Sequence, residues 1–139
     1  MKDALTTLSR IKKFELDEQQ RLLVQEQEKE DKLNHDLKLL IAKYEEEKLF
    51  VAQNPGICDF GLYTDQYLKK RKFLEKQLHD VQTKIEQIRE VMSDIYKEQK
   101  TFDIVTENRR KLKKKEMETQ EQKLLDEVGT NAYIKKHQN

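Results

Sequence analysis

Leu74, Leu78, Val81, Ile85, Ile88, Met92 and Ile95 recur at alternating intervals of four and three residues. That spacing is a heptad seam: it draws one narrow apolar stripe down a helix, sustained for about three heptads. A stripe so narrow cannot close a core by itself and needs a second helix laid along it. Gln99 interrupts the seam and Phe102 resumes its phase. Val105, Leu112, Met117, Leu124 and Val128 continue a looser apolar set.

The segment before it carries a matching stripe. Leu33, Leu37, Leu40, Tyr44 and Val51 share one face. Followed backwards, the phase meets Leu23, Leu16 and Leu5, with Glu30, Glu26, Gln19 and Lys12 between them. This seam is firm towards the middle of the chain and polar towards its start. Composition agrees with long helices. Of 139 residues, 40% are charged and only 35% hydrophobic, with no tryptophan. A globule of this length needs about 45–50% apolar content, so the regular spacing, not the amount, of apolar residues points to a helical assembly and away from disorder.

Between the two stripes lies "NPGICDFGLYTD", residues 54–65, with the only proline, the only cysteine and two of the three glycines. Pro55 disfavours helix at Asn54, and Gly56 and Gly61 permit a reversal. The expected fold is all-α, a long two-helix antiparallel coiled-coil hairpin forming a single domain over residues 1–139. Helix 1 is expected over about 3–53, a tip loop over 54–64, helix 2 over about 65–129, and a tail over 130–139. Thr64 or Asp65 is the expected cap of helix 2, and Gly129 its stop. Folding about residue 58 sets Leu40 near Gln77, Leu33 near Ile85, Leu23 near Met92 and Leu5 near Leu112. The apolar residues of the tip, Ile57, Phe60, Leu62 and Tyr63, either pack onto the helix ends or form an exposed sticky surface.

Little in the sequence suggests catalysis. His35, His79 and His137 lack any metal-ligand spacing, and there is no phosphate-binding glycine loop and no nucleophile elbow. One cysteine excludes an intrachain disulfide and a cysteine-rich zinc site. No catalytic, cofactor-binding or metal-ligating residues are expected, and the protein is expected not to be an enzyme. No apolar run approaches the roughly 20 residues that cross a bilayer, and the opening MKDALTTLSRIKKF lacks the apolar core of a secretory signal, so a soluble protein on the cytoplasmic side is expected.

Two stretches stand out as binding candidates. "NRRKLKKKE", residues 108–116, sets Arg109, Arg110, Lys111, Lys113, Lys114 and Lys115 around the helix as a positive collar. It suits a solvated charge run, an acidic protein partner or nucleic acid, although few aromatics are interleaved for base stacking. "QKLLDEVGTNAYIKK", residues 122–136, carries Leu124, Leu125 and Val128 where the first helix has already ended, which points to docking or to a frayed tail.

With these features in place the chain resembles the flagellar type III export stalk proteins, the FliJ family, whose injectisome relatives are the YscO-type proteins. The resemblance rests on the length and hairpin plan, on the opening "LTTLSRIKKFELDEQQRLL", and on "QKLLDE", residues 122–127, which is similar to the family's Q-K-x-[ML]-D-E element near the C-terminus. The resemblance implies a cytoplasmic component of the flagellar export apparatus, peripheral at the inner membrane. Its terminal end would enter the ring of a hexameric export ATPase and promote ring assembly. It would also contact the export gate membrane protein and bind export chaperones. Gln122, Lys123, Leu125, Asp126 and Glu127 occupy the matching element, with Arg109, Arg110 and Lys113 of the collar beside them as ATPase-binding candidates. Leu74 and Leu78 fall where the family contacts the gate. No cofactor is implied and no nucleic acid is expected. The alternatives are a generic helical-hairpin chaperone working through its tip, and a nucleic-acid-binding coiled coil working through residues 109–115.

Overall fold

The structure, a computed structural model, describes residues 4–138. They form two helices packed antiparallel as a coiled-coil hairpin, α1 (Ala4–Gln53) and α2 (Phe60–His137), with no strand among them. Position 3, the expected start of helix 1, and position 139 lie outside the described residues.

The reversal is built from local chemistry. Asn54 closes α1: its backbone N–H donates to the Val51 carbonyl at 3.2 Å and its side-chain amide to the Phe50 carbonyl at 3.0 Å. Pro55 follows, and Gly56 takes φ +85°, a left-handed conformation that a side chain disfavours. Asp59 then starts α2, its carboxylate accepting from the Leu62 N–H at 3.2 Å. That is an N-cap bond to the third helical residue.

This cap corrects the expected boundaries. Helix 2 begins at Phe60 and not near residue 65, and the tip is residues 54–59. Thr64, expected as a cap, instead hydrogen-bonds the Tyr44 hydroxyl at 3.1 Å. Nor does Gly129 stop the helix, which runs through it to His137 and absorbs most of the expected tail. Gly129 does not adopt positive φ. One glycine costs a helix about 1 kcal/mol, which good helix formers on both sides offset. Lys135, Lys136 and His137 in the last turn suit the negative end of the helix dipole.

Packing divides the chain into two compact units. The larger is Phe14–Ile95, which includes the tip. Its core joins Leu23 of α1 to Ile85 and Ile88 of α2, with Val81 and Met92 packed at the margin. The α2 positions that turn inward are Tyr67, Arg71, Leu74, Leu78, Val81, Ile85, Ile88, Met92 and Ile95, an unbroken alternation of four and three. Glu26 occupies a seam position of α1 and is only 5% exposed. Its carboxylate meets Lys29 Nζ at 3.0 Å and Lys84 Nζ at 3.4 Å across the hairpin. The hydrogen bond from Lys29 does most to hold the Glu26 carboxyl below the usual range, against the desolvation that would raise it.

Near the tip the seam turns aromatic. Tyr44 stacks on Tyr67, with Phe60 at 5.6 Å and Tyr63 at 6.1 Å from its ring centroid. The Tyr67 hydroxyl also accepts a hydrogen bond from Arg71 Nη1 at 3.1 Å. The Tyr63 hydroxyl donates to Glu47, and its pKa is pushed up to about 12 chiefly by that bond.

The smaller unit joins the start of α1 to α2 from Tyr96 onward. Lys12 Nζ pairs with Glu98 at 2.7 Å, and the Ser9 hydroxyl donates to Asp103 at 2.7 Å. Gln99, Phe102, Val105 and Thr106 are half-buried, and every residue from 107 to 138 is exposed.

The cross-strand pairs correct the expected register. Tyr44 with Tyr67 and Glu26 with Lys84 are centred on Pro55–Gly56, as are Lys12 with Glu98 and Ser9 with Asp103. The expected centre was residue 58. Leu23 therefore sits on Ile85 and Ile88 with Met92 only at the margin, and Leu112, expected opposite Leu5, is exposed. Capping α2 with Asp59, so that it starts at Phe60, shortens the tip, and in a heptad seam the next satisfactory match lies about one repeat away.

Candidate interaction surfaces

Three surfaces emerge, each formed by helix positions that the hairpin leaves uncovered. The first is the exposed part of α2 in the smaller unit, where Arg109, Arg110, Lys113, Gln122, Lys123, Leu125, Asp126 and Glu127 all lie. They share one helix but not one face, because the charges follow each other at every angle. Arg110 forks onto Glu107 with bonds of 3.1 and 2.8 Å, and this pairing lowers the Glu107 pKa and raises that of Arg110. Gln122 donates to Asp126 one turn on at 3.2 Å. Leu124, Leu125 and Val128 are all more than half exposed. A helix here can offer ion pairs and a short apolar stripe to a partner, and nothing in its own chain among the described residues covers that stripe.

The second surface is in the larger unit. Leu74 and Leu78, the candidate gate contacts, are half-buried seam residues. Most of their surface holds the hairpin together. The accessible group beside them is Phe73, 61% exposed. It borders a groove of about 390 Å³ with Leu39, Leu40, Lys43, Lys70 and Leu74. Phe73 stands one residue off the heptad, so a search for seam periodicity passes over it. The usable signal was a large aromatic at a position the seam does not need.

The third surface is the tip, and the two readings of its apolar residues divide between its side chains. Phe60 and Tyr63 pack onto Tyr44, whereas Ile57 and Leu62 are exposed. Cys58 is exposed as a free thiol.

Among the described residues, no three His, Cys, Asp or Glu side chains gather as a metal site would require. No helix there is long and apolar enough to cross a membrane. His137 caps the end of α2, its ring against Tyr133 with centroids 4.1 Å apart. Comparisons with protein-family models, with curated proteins and with solved structures find no match for the chain.

Proposed function

We propose that this protein works as a stalk in a type III export apparatus, of the FliJ type and on the flagellar side. In this reading it is a non-enzymatic regulator that docks into a hexameric export ATPase and promotes ring assembly. The observation that carries the proposal is the uncovered stretch of α2, residues 107–138, which bears both the basic collar and the QKLLDE element. A ring pore lined by acidic and apolar groups is the kind of receptor such a helix fits. The groove at Phe73 and Leu74 supports a second contact, with the export gate, and this would place the protein peripherally at the inner membrane. Export chaperones complete the proposed set of partners.

The experiment is a titration of the protein into an export ATPase, following ATP hydrolysis and hexamer formation together. Stimulation with ring assembly is expected, and scrambling residues 122–127 should abolish it with helicity intact. Stimulation that survives the scramble rules out docking through QKLLDE. A folded protein with no effect on the ATPase rules out the stalk. The exposure of Ile57 and Leu62 at the tip favours one other reading, a helical-hairpin chaperone. It requires that polar substitutions at these two residues, and not in the tail, abolish protection of an aggregating client.

A further inference from the structure

One side of the larger unit carries a trough between the two helices. The groove at Phe73 adjoins a second one of about 460 Å³, bordered by Lys32, Leu33, Gln77 and Asp80, and the two share Asp36 and Leu74. Leu39 and Phe73 are 56% and 61% exposed on opposite banks of this trough. They stand at the same level, since the cross-strand pairs centre the hairpin on Pro55–Gly56.

The charges on the α1 bank form a row with a centre. Lys32, Asp36, Leu39, Lys43 and Glu46 follow one another at steps of four, three, four and three, so they share one face of α1. Counted outwards from Leu39, Asp36 answers Lys43 and Lys32 answers Glu46. Turned end for end and laid on itself, the row sets every charge on its opposite. On the α2 bank, counted outwards from Phe73, Lys70 answers Gln77 and Gln66 answers Asp80, so no like charges meet there. Among the described residues, none of Lys32, Asp36, Lys43 and Glu46 has an ion pair within its own chain.

We propose that this face is a self-complementary surface on which a second copy of the chain docks. The two hairpins form a four-helix bundle about a two-fold axis that crosses both helices at Leu39 and Phe73. Each helix lies antiparallel on its own counterpart. Lys43 meets the partner's Asp36 and Glu46 meets the partner's Lys32, each pair twice, while Phe73 packs on the partner's Phe73. Charge selects the direction. With both tips at one end, α1 would lie on the partner's α2, where Lys43 meets the partner's Lys70 and Lys29 meets the partner's Lys84. Charge also selects the register. Sliding one copy by a heptad sets Lys43 on the partner's Lys43 in one sense and Asp36 on the partner's Asp36 in the other. The inference stands apart from the export reading: self-pairing covers the groove suggested above for the gate, and its test contains neither gate nor ATPase.

Sedimentation equilibrium of the full chain in about 0.05 M salt is expected to show a reversible monomer–dimer equilibrium, shifted towards monomer in about 0.5 M salt, where the Debye length is about 4 Å. Lys43→Glu should raise the dimer dissociation constant at least about tenfold, because it acts on both sides of the axis. Adding Asp36→Lys to Lys43→Glu should restore dimerisation. Direction is read without further substitution, from spin labels on Cys58, the only cysteine and exposed at the tip. The tip lies about 16 residues from the axis, roughly 25 Å along α1, so antiparallel copies hold their labels about 50 Å apart, against about 20 Å or less with both tips at one end. Circular dichroism checks that each variant remains helical. A chain that stays monomeric at low salt overturns the proposal. So does association indifferent to the charge reversal, or a label separation of about 20 Å or less.

Discussion

Tyr44 of α1 and Tyr67 of α2 lie face to face, their ring centroids 3.9 Å apart and their planes within 3° of parallel. The pair clamps the two helices about two turns inside the tip, and Phe60 and Tyr63 extend the stack. Hairpin closure near the tip therefore rests on aromatic area more than on aliphatic packing. Tyr44→Ala removes the centre of the stack together with the bond to Thr64. Because Tyr44 is half-buried, the expected loss is about 2–3 kcal/mol, below the range for a fully buried aromatic. Urea unfolding followed by circular dichroism reads it, and a loss under about 0.5 kcal/mol would show that the stack does not hold the tip.

Glu26 gives the hairpin a pH dependence with a definite sign. Its folded pKa is lowered, so the stability it contributes is present above the unfolded value of about 4.3 and is lost as pH falls through the lower folded one. Glu26→Gln should be less stable than the parent at pH 7 and equal to it once both side chains are neutral. Denaturant midpoints measured between pH 7 and pH 2 test this; a gap that stays constant would refute it.

The same carboxylate is a polar group in an apolar seam. Lys29 and Lys84 are both mostly exposed and can return to water. Glu26→Leu should therefore stabilise the hairpin by about 1 kcal/mol, since replacing a buried ionic group by an apolar one is often favourable. Stability below the parent's would mean that the ion pairs do more than fix the register.

Gly56 and Gly129 should respond oppositely to alanine. At Gly56 the backbone is left-handed, and alanine there should cost about 1 kcal/mol even though nothing lies within 4 Å of an added Cβ. At Gly129 the surroundings are also open and the backbone is helical, so alanine should raise helicity in the last turns of α2, worth about 1 kcal/mol locally. Thermal unfolding reads the first and hydrogen exchange at residues 125–135 the second. The same sign at both positions would contradict this account.

Tyr63 should titrate near 12, and Glu47→Gln should bring it down towards 10. A folded pKa above the unfolded one means that the contribution is intact below about pH 10 and disappears as pH rises through about 12. Ultraviolet absorbance titration, comparing the parent with Tyr63→Phe, isolates this group.

Periodicity made the hairpin legible in the sequence. Two stripes at alternating spacings of four and three, separated by Asn54, Pro55 and Gly56, leave an antiparallel pair of helices as the economical way to bury both. The end of α1 at Gln53 follows from proline chemistry and was equally readable. The exposed collar and the QKLLDE element were readable too, because charge and polarity on a helix beyond its partner stay in solvent. Which partner they meet is a property of another molecule's surface.

Register and the start of α2 were decided only by tertiary structure. Asp59, Thr64 and Asp65 are all competent caps, and the choice depends on which one lets Phe60, Tyr63 and Tyr67 reach Tyr44. Heptads are nearly degenerate under a shift of one repeat, so spacing alone does not separate a pairing centred on residue 58 from one centred on Pro55–Gly56. Long-range contacts break that degeneracy: the stack of Tyr44 on Tyr67 near the tip, and Lys84 reaching the carboxylate of Glu26 farther along. Periodicity in one chain determines that two helices pair and on which faces, whereas the offset between them is set by specific side chains meeting across the gap.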